Sequence, residues 1–462
     1  MLIQKLRARI DELSSEIDVQ KTVLKKLEKD KSLVQGQLNA ALDPVARLPL
    51  EISSEIFLQT LDPSPVPEPG ACHASMLLLN VCSAWTTIAR STPSLWTTIR
   101  IDFPCATDSL VYALPLWFER ARNRPVSLFL HGNLSAVTFD ADVSDIIWEH
   151  GGQLKHLEIF DDFEGGDDDV INIFGDKTPG SLPLLETLTV GTSGTDRGFY
   201  GDEILDLLLL APKIVNCSFC VGIETWNTSR DIETVVSVPT LRRLAFGERR
   251  GVSSDADSEF KMLDCLSLPA LESLAMSHIV LDSHELSLSS FLKRVSPPLQ
   301  ELVLEFDSRG NTLMAMTTRL HHCLGLIPTL SRFNLQDPAT HLVTDLFAAL
   351  DSSPSLLPNL CDFTIQFLLR WPWNISDYSW RTLLRVLSMR RIRLEIKPVA
   401  SPPADVVAAL RELAAGGLQI YIGNDKQNFI DSPSEKESDE ESQEESDEES
   451  EEESVEESEE EI

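Results

Sequence analysis

Cys217-x-x-Cys220 has the spacing at which two thiolates share a zinc ion or cycle between dithiol and disulfide. A closed zinc site needs four ligands, however, and no second pair stands at a matching spacing; Cys217 also falls on an apolar strand position. His321-His322 has no companion ligands and reads as the end of a helix. The run from Asp161 to Asp169 is rich in carboxylates that could hold calcium, but their spacing is not that of an EF-hand loop. A phosphate-cradling glycine motif and a nucleophile elbow are both missing. Without an acid, base and nucleophile set, neither catalysis nor a cofactor or metal is expected. What remains is recognition by surfaces.

Those surfaces need elements to hold them. A chain of 462 residues with 42% hydrophobic residues is long enough for at least two folded parts. The net charge is −34, but 19 acidic residues against one lysine lie between Asp431 and Ile462, so the tail carries −18 and residues 1–430 carry −16. An acidic body offers no footprint for nucleic acid. The eight cysteines form no compact framework, which fits a reducing compartment, and the sequence predicts a cytoplasmic or nuclear protein. Apolar runs such as Ile204 to Ala211 fall far short of the about 20 residues a membrane span needs, so no membrane association is expected.

The first elements are helical. Ile3, Ile10, Ile17, Leu24, Lys31 and Leu38 share one seven-residue spacing, and Leu6, Leu13, Gln20, Leu27, Val34 and Ala41 the other. This pattern predicts a helix over 1–43 with a narrow apolar seam, able to form a homodimer or to pack on the protein's own body. Asp43-Pro44 should end it. A helix over Pro49 to Leu61, a Pro-rich insertion at Asp62 to Gly70, an apolar helical stretch over Met76 to Ala89 and a short turn at Thr92 to Trp96 follow.

From Pro125 onward the sequence repeats. Leu154-x-x-Leu157-x-Ile159 recurs at Leu185, Ile214, Leu241, Leu271, Leu299, Leu330 and Leu360, at intervals of 27 to 31 residues. Prolines at 183, 212, 239, 269, 297, 328 and 358 each precede a first position by two residues. Helical stretches precede several units, at Glu203 to Leu210, Ser290 to Val295, His341 to Leu350 and Tyr378 to Met389. Units of helix, loop and short strand bury a continuous layer only when stacked. Edge strands are expected at Val126-x-Leu128-x-Leu130 and Leu418-x-Ile420-x-Ile422. Side chains between the apolar strand positions point to the opposite face, where His156, Glu158, Asn216, Arg243, Glu301, Arg332 and Asp362 form the candidate target-binding surface.

This pattern resembles leucine-rich repeats of the long, irregular kind, over roughly Pro125 to Gly423. It departs from them in lacking the asparagine three residues past the last apolar position, which is Asp162, Ser193 or Gly222 in the first units. Three earlier blocks, Leu48-Pro49 through Phe57, Leu77 through Trp85, and Thr92-Pro93-Ser94-Leu95-Trp96, resemble an F-box in order, as in F-box-like proteins of basidiomycete fungi, which also carry an upstream heptad helix. The resemblance implies a substrate-recognition subunit of an SCF-type ubiquitin ligase, a non-enzyme. The implied contacts to a Skp-type adaptor, and through it a cullin, are Leu48, Pro49, Ile52, Ile56, Phe57, Leu77, Val81, Cys82, Trp85, Leu95 and Trp96. The Pro-rich insertion departs from a compact F-box. A scaffold of coil and repeats without a ligase is the alternative.

The expected fold class is thus α/β: a coiled-coil helix over 1–43, an all-α F-box-like module over 44–100, a repeat solenoid over 101–425, and an acidic tail over 426–462. The tail lacks the apolar residues to fold. All eight serines from Ser432 to Ser458 have Glu three residues later, the pattern acidophilic kinases prefer. A solubilising tail with incidental serines is the plainer reading, and docking to basic partners is the competing one.

Overall fold

The computed structural model describes residues 2–61, 74–104, 107–134, 141–162, 171–174, 180–192, 198–220, 222–225, 235–247, 262–279, 281–306, 317–367, 375–424 and 427–431. The Pro-rich insertion, most of the acidic run at Asp161 to Asp169, and the tail from Ser432 onward lie outside the described residues. The chain divides into two compact units, residues 1–335 with 355–359, and residues 336–354 with 360–462.

The first unit opens with a single 41-residue helix, α1 (Leu2–Leu42). It stops where the sequence places Asp43-Pro44, and the Asp43 carboxylate accepts the backbone N–H of Val45 at 2.9 Å to start the next turn. The following helices are α2 (Leu50–Leu58), α3 (Ala74–Leu79) and α4 (Ser83–Ser91), closed by a 3-10 turn at Pro93–Trp96. The apolar stretch over Met76 to Ala89 is therefore two helices rather than one. Cys82 is fully extended between them, and the Thr86 hydroxyl bridges the break by donating to the carbonyls of Leu79 at 2.8 Å and Cys82 at 3.0 Å.

Strands follow, with helices between some of them: β1 (Thr98–Phe103), α5 (Thr107–Ala121), β2 (Val126–Gly132), α6 (Ala141–Glu149), β3 (Leu154–Asp161), β4 (Thr187–Thr192), β5 (Gly198–Tyr200), α7 (Gly201–Leu210), β6 (Asn216–Cys220), β7 (Gly222–Thr225), β8 (Val236–Ser237), β9 (Arg243–Phe246), β10 (Leu266–Ser267), β11 (Ser273–Ile279), α8 (Leu281–Val295), β12 (Glu301–Phe306), α9 (Thr317–Gly325) and β13 (Arg332–Gln336). A large parallel sheet runs in the order β1-β2-β3-β4-β6-β9-β11-β12-β13. Two small parallel pairs, β5 with β7 and β8 with β10, lie outside it. The second unit repeats the pattern with α10 (Thr340–Ser352), β14 (Asp362–Gln366), α11 (Asp377–Met389), β15 (Arg393–Lys397), α12 (Ala404–Ala415) and β16 (Ile420–Ile422), its strands parallel in the order β14-β15-β16.

The repeat motif sits in this sheet in constant register: Leu157, Leu188, Cys217, Leu244, Leu274 and Leu302 are successive neighbours. All three apolar positions in all eight units are at most 6% exposed. Each fully buried Leu or Phe contributes about 1.5–3 kcal/mol, so this layer dominates the stability of the array. The recurrent proline has a definite job. In five units the N–H of the first motif residue donates to the carbonyl three residues earlier (Leu185 to Leu182, Ile214 to Ala211, Leu241 to Val238, Leu271 to Leu268, Leu330 to Ile327). Proline is the second residue of that turn, the position its fixed φ suits.

Two expectations are refined. Strand β1 begins at Thr98, so the sheet starts before the boundary drawn at 100 and 101. The position carrying buried polar side chains is also one residue earlier than the missing asparagine: Asp161 and Thr192 are at most 4% exposed, and Asp161 accepts the N–H of Leu134 at 2.8 Å. Gly132, at the end of β2, has φ +103°, and a Cβ there would stand 2.0 Å from the Phe103 carbonyl; only glycine lets the two strands end so close.

Candidate interaction surfaces

The helical module sorts its apolar residues into two classes. On α2, Ser53 and Phe57 face inward while Ile52 and Ile56, also four residues apart, face out. Phe57 is 1% exposed and packs against Trp85 with ring centroids 4.9 Å apart. Trp85 also donates its indole N–H to the Asp43 carboxylate, which ties α4 to the end of α1. Trp96 is fully buried: its indole N–H donates to the Ala89 carbonyl at 2.9 Å, its ring meets Trp117 edge-on at 5.1 Å, and the Arg120 guanidinium lies 4.6 Å over it. Leu95 is 2% exposed.

Phe57, Leu95 and Trp96 thus line the interior, and a surface contact does not fall to them. This corrects their assignment as adaptor contacts: an aromatic or leucine with its partners already around it has nothing left to offer a second protein. Trp85 and Cys82 are half-buried, with Trp85 held by Phe57 and Asp43. Leu48, Ile52, Ile56, Leu77 and Val81 are 39–54% exposed, and Pro49 is exposed beside them in sequence. Leu50 at 47% and Met76 at 40% join this set and were not singled out from sequence. Helical spacing around the buried Phe57 and Leu78 could have found both.

The strand face carries its side chains in rows set by the register. His156, Thr187, Asn216, Arg243, Ser273 and Glu301 are successive neighbours in one row. Glu158 belongs to the next row, between Phe129 and Thr189. Along the first row Arg243 donates to the Asn216 side chain at 3.5 Å, Ser273 donates to Glu301 at 3.0 Å, and Arg332 reaches the same carboxylate at 3.4 Å. The predicted residues of the first unit are thereby brought onto one polar face. Asp362 lies in the second unit, 4.0 Å from Arg393 on the adjacent strand. His156 has its pKa lowered, chiefly by burial and further by Lys155 beside it, so it stays neutral at physiological pH.

The most structured part of this face was missed. Arg100, at 8% exposure, donates to Asp102 at 2.8 Å and contacts His131 Nδ1 at 3.2 Å. His131 Nε2 lies 2.8 Å from Glu158, within ion-pair distance though not aligned as a hydrogen bond. The Phe160 ring covers Gly191, where a Cβ would stand 2.6 Å from it. The signal was available: extending strict alternation through the edge strand at Val126 places Phe129 and His131 on the face.

Among the described cysteines, Cys217, Cys265 and Cys323 are buried, whereas Cys361 is exposed. Cys217 is 3% exposed in the sheet core and burial pushes its thiol pKa far up, which holds it as an unreactive thiol. Among the described residues no cluster of His, Cys, Asp and Glu could hold a metal ion, and no helix is long and apolar enough to cross a membrane. His321 and His322, expected at a helix end, lie instead in the middle of α9.

No family model matches the chain, and no curated protein matches it. Among solved structures it is similar to the leucine-rich repeat-containing protein LegL7 from Legionella pneumophila, at 14% identity and a TM-score of 0.34, over 75% of this chain and 96% of that one. The repeat organisation described above rests on register and burial.

Proposed function

We propose that this chain is an adaptor rather than a catalyst: the substrate-recognition subunit of an SCF-type ubiquitin ligase, whose F-box-like helices dock a Skp-type adaptor and, through it, a cullin, while the strand face of the repeats holds the target. The observation that carries the reading is the sorting within the module. Phe57, Leu95 and Trp96 already give it a closed interior, yet Leu48, Ile52, Ile56, Leu77 and Val81 stay at the surface. Apolar residues left outside a completed core favour a protein contact. The order of the three sequence blocks supports the adaptor as that contact.

Pull-down of the full chain with a purified Skp-type adaptor and cullin tests this. Recovery by the wild type, lost in Ile52→Lys with Ile56→Lys while the circular dichroism is unchanged, is the expected result. Failure of the wild type to recover the adaptor overturns the ligase assignment and leaves the second reading, a repeat scaffold without a ligase, which the polar rows of the strand face favour on their own.

A further inference from the structure

We infer that α1 is a dimerisation element that joins two copies of this chain in parallel. The helix presents its heptad seam to solvent: Ile3, Leu6, Ile10, Leu13, Ile17, Leu24 and Leu27 are 42–67% exposed. Among the described residues, the module meets α1 at its far end. There Asp43 receives the Trp85 indole N–H, and a cleft of about 670 Å³ lies between residues 28–37 and Val81, Cys82 and Ser83. The seam ahead of that end spans four heptads, with Gln20 its one polar position before Lys31, and sustained heptads of this kind are the signature of a coiled coil.

Residue type and charge decide the occupant and its direction. β-branched Ile at positions 3, 10 and 17, alternating with Leu at 6, 13 and 27, packs best in a parallel two-stranded coil. In that arrangement Glu16 of each copy faces Lys21 of the other, giving two attractive pairs, and the remaining flanking pairs, such as Arg9 with Ser14 and Asp30 with Gln35, involve no like charges. An antiparallel coil in full overlap instead sets Glu16 against Asp30 and Lys21 against Lys21 of the second copy. A second copy in parallel therefore satisfies both the seam and its flanks. Two recognition faces then act together, and a target bearing two copies of the recognised feature is held with the gain of multivalency.

Light scattering of the full chain at tens of micromolar should give twice the 51.4 kDa chain mass. Ile10→Asp with Leu13→Asp should return it to one, with the unfolding transition of the repeats unchanged. A monomeric wild type, or a dimer that survives this pair of changes, overturns the proposal. Direction is tested separately. Glu16→Lys sets like charges together in the parallel dimer and should weaken it by roughly five- to tenfold, with Lys21→Glu in the same chain restoring it. Tighter association of Glu16→Lys alone would instead show the antiparallel coil and refute the parallel one. None of these readouts depends on the ligase assignment.

Discussion

The helical module and the repeat array bury apolar residues by the same rule and differ in what they leave over. In the array, all three motif positions of all eight units are at most 6% exposed, and the opposite strand face is largely polar. In the module the core is just as closed around Phe57, Leu95 and Trp96, yet five of the predicted apolar residues remain 39–54% exposed. A stacked array can always seal its apolar face on the next unit, whereas three short helices have too little interior for the apolar residues they carry. On the proposed reading, the surplus is where the adaptor docks. On the array, the same reading puts recognition on the polar rows instead.

Substitutions inside and outside each core separate these roles. Trp96→Ala should be the most disruptive, since it removes a fully buried ring together with its bond to Ala89; a loss of about 3–5 kcal/mol in denaturant unfolding is expected. Leu188→Ala, in the middle of the sheet, should cost about 2–5 kcal/mol in the same measurement. If Leu188→Ala were nearly neutral, the repeats would not share one continuous apolar layer.

A pH-dependent effect comes next in size. Burial, with Asp206 and Asp202 nearby, pushes the Glu203 carboxyl up to about 7, although it accepts the N–H of Ile173 at 2.8 Å. A carboxyl raised in the folded state binds its proton more tightly there than when unfolded. Stability is therefore lost as pH rises from its ordinary value of 4.5 to about 7. Glu203→Gln should keep the bond to Ile173 and relieve this cost. Its stability advantage over the wild type should grow between pH 5 and pH 8 to about 1–2 kcal/mol after allowance for partial solvent screening. An advantage that stays constant with pH would show that the carboxyl is not strained. The smallest effect on stability belongs to the module surface: Ile52→Lys with Ile56→Lys should shift unfolding by no more than about 0.5 kcal/mol per site.

The array was legible in the sequence because its signal is redundant. Leucines every 27 to 31 residues and prolines two residues ahead of them mark the same units, and in five of these units the proline sits in the turn that leads into the strand. The module was legible as three blocks but not in its sorting. Nothing in the order Leu48 to Trp96 distinguishes Phe57, which turns inward onto Trp85, from Ile56, which does not; that depends on how α2 meets α4. Strand β1 was missed because Thr98–Phe103 carries Arg100 and Asp102 between its apolar residues and lacks the leucine motif. Its face with Phe129, His131 and Glu158 forms only when three strands stand side by side, a relation no local pattern encodes. The break at Cys82 escaped notice because apolar spacing continues through it, and only the Thr86 hydroxyl marks the join.

The most direct test is calorimetric titration of a purified Skp-type adaptor into the full chain, alongside the Ile52→Lys and Ile56→Lys double variant. Saturable one-to-one binding per chain by the wild type, and at least a hundredfold weaker binding by a variant of unchanged stability, is the expected result, equivalent to about 3 kcal/mol at a contact hot spot. Equal affinity of the two proteins would contradict the assignment of the exposed α2 residues as the docking surface.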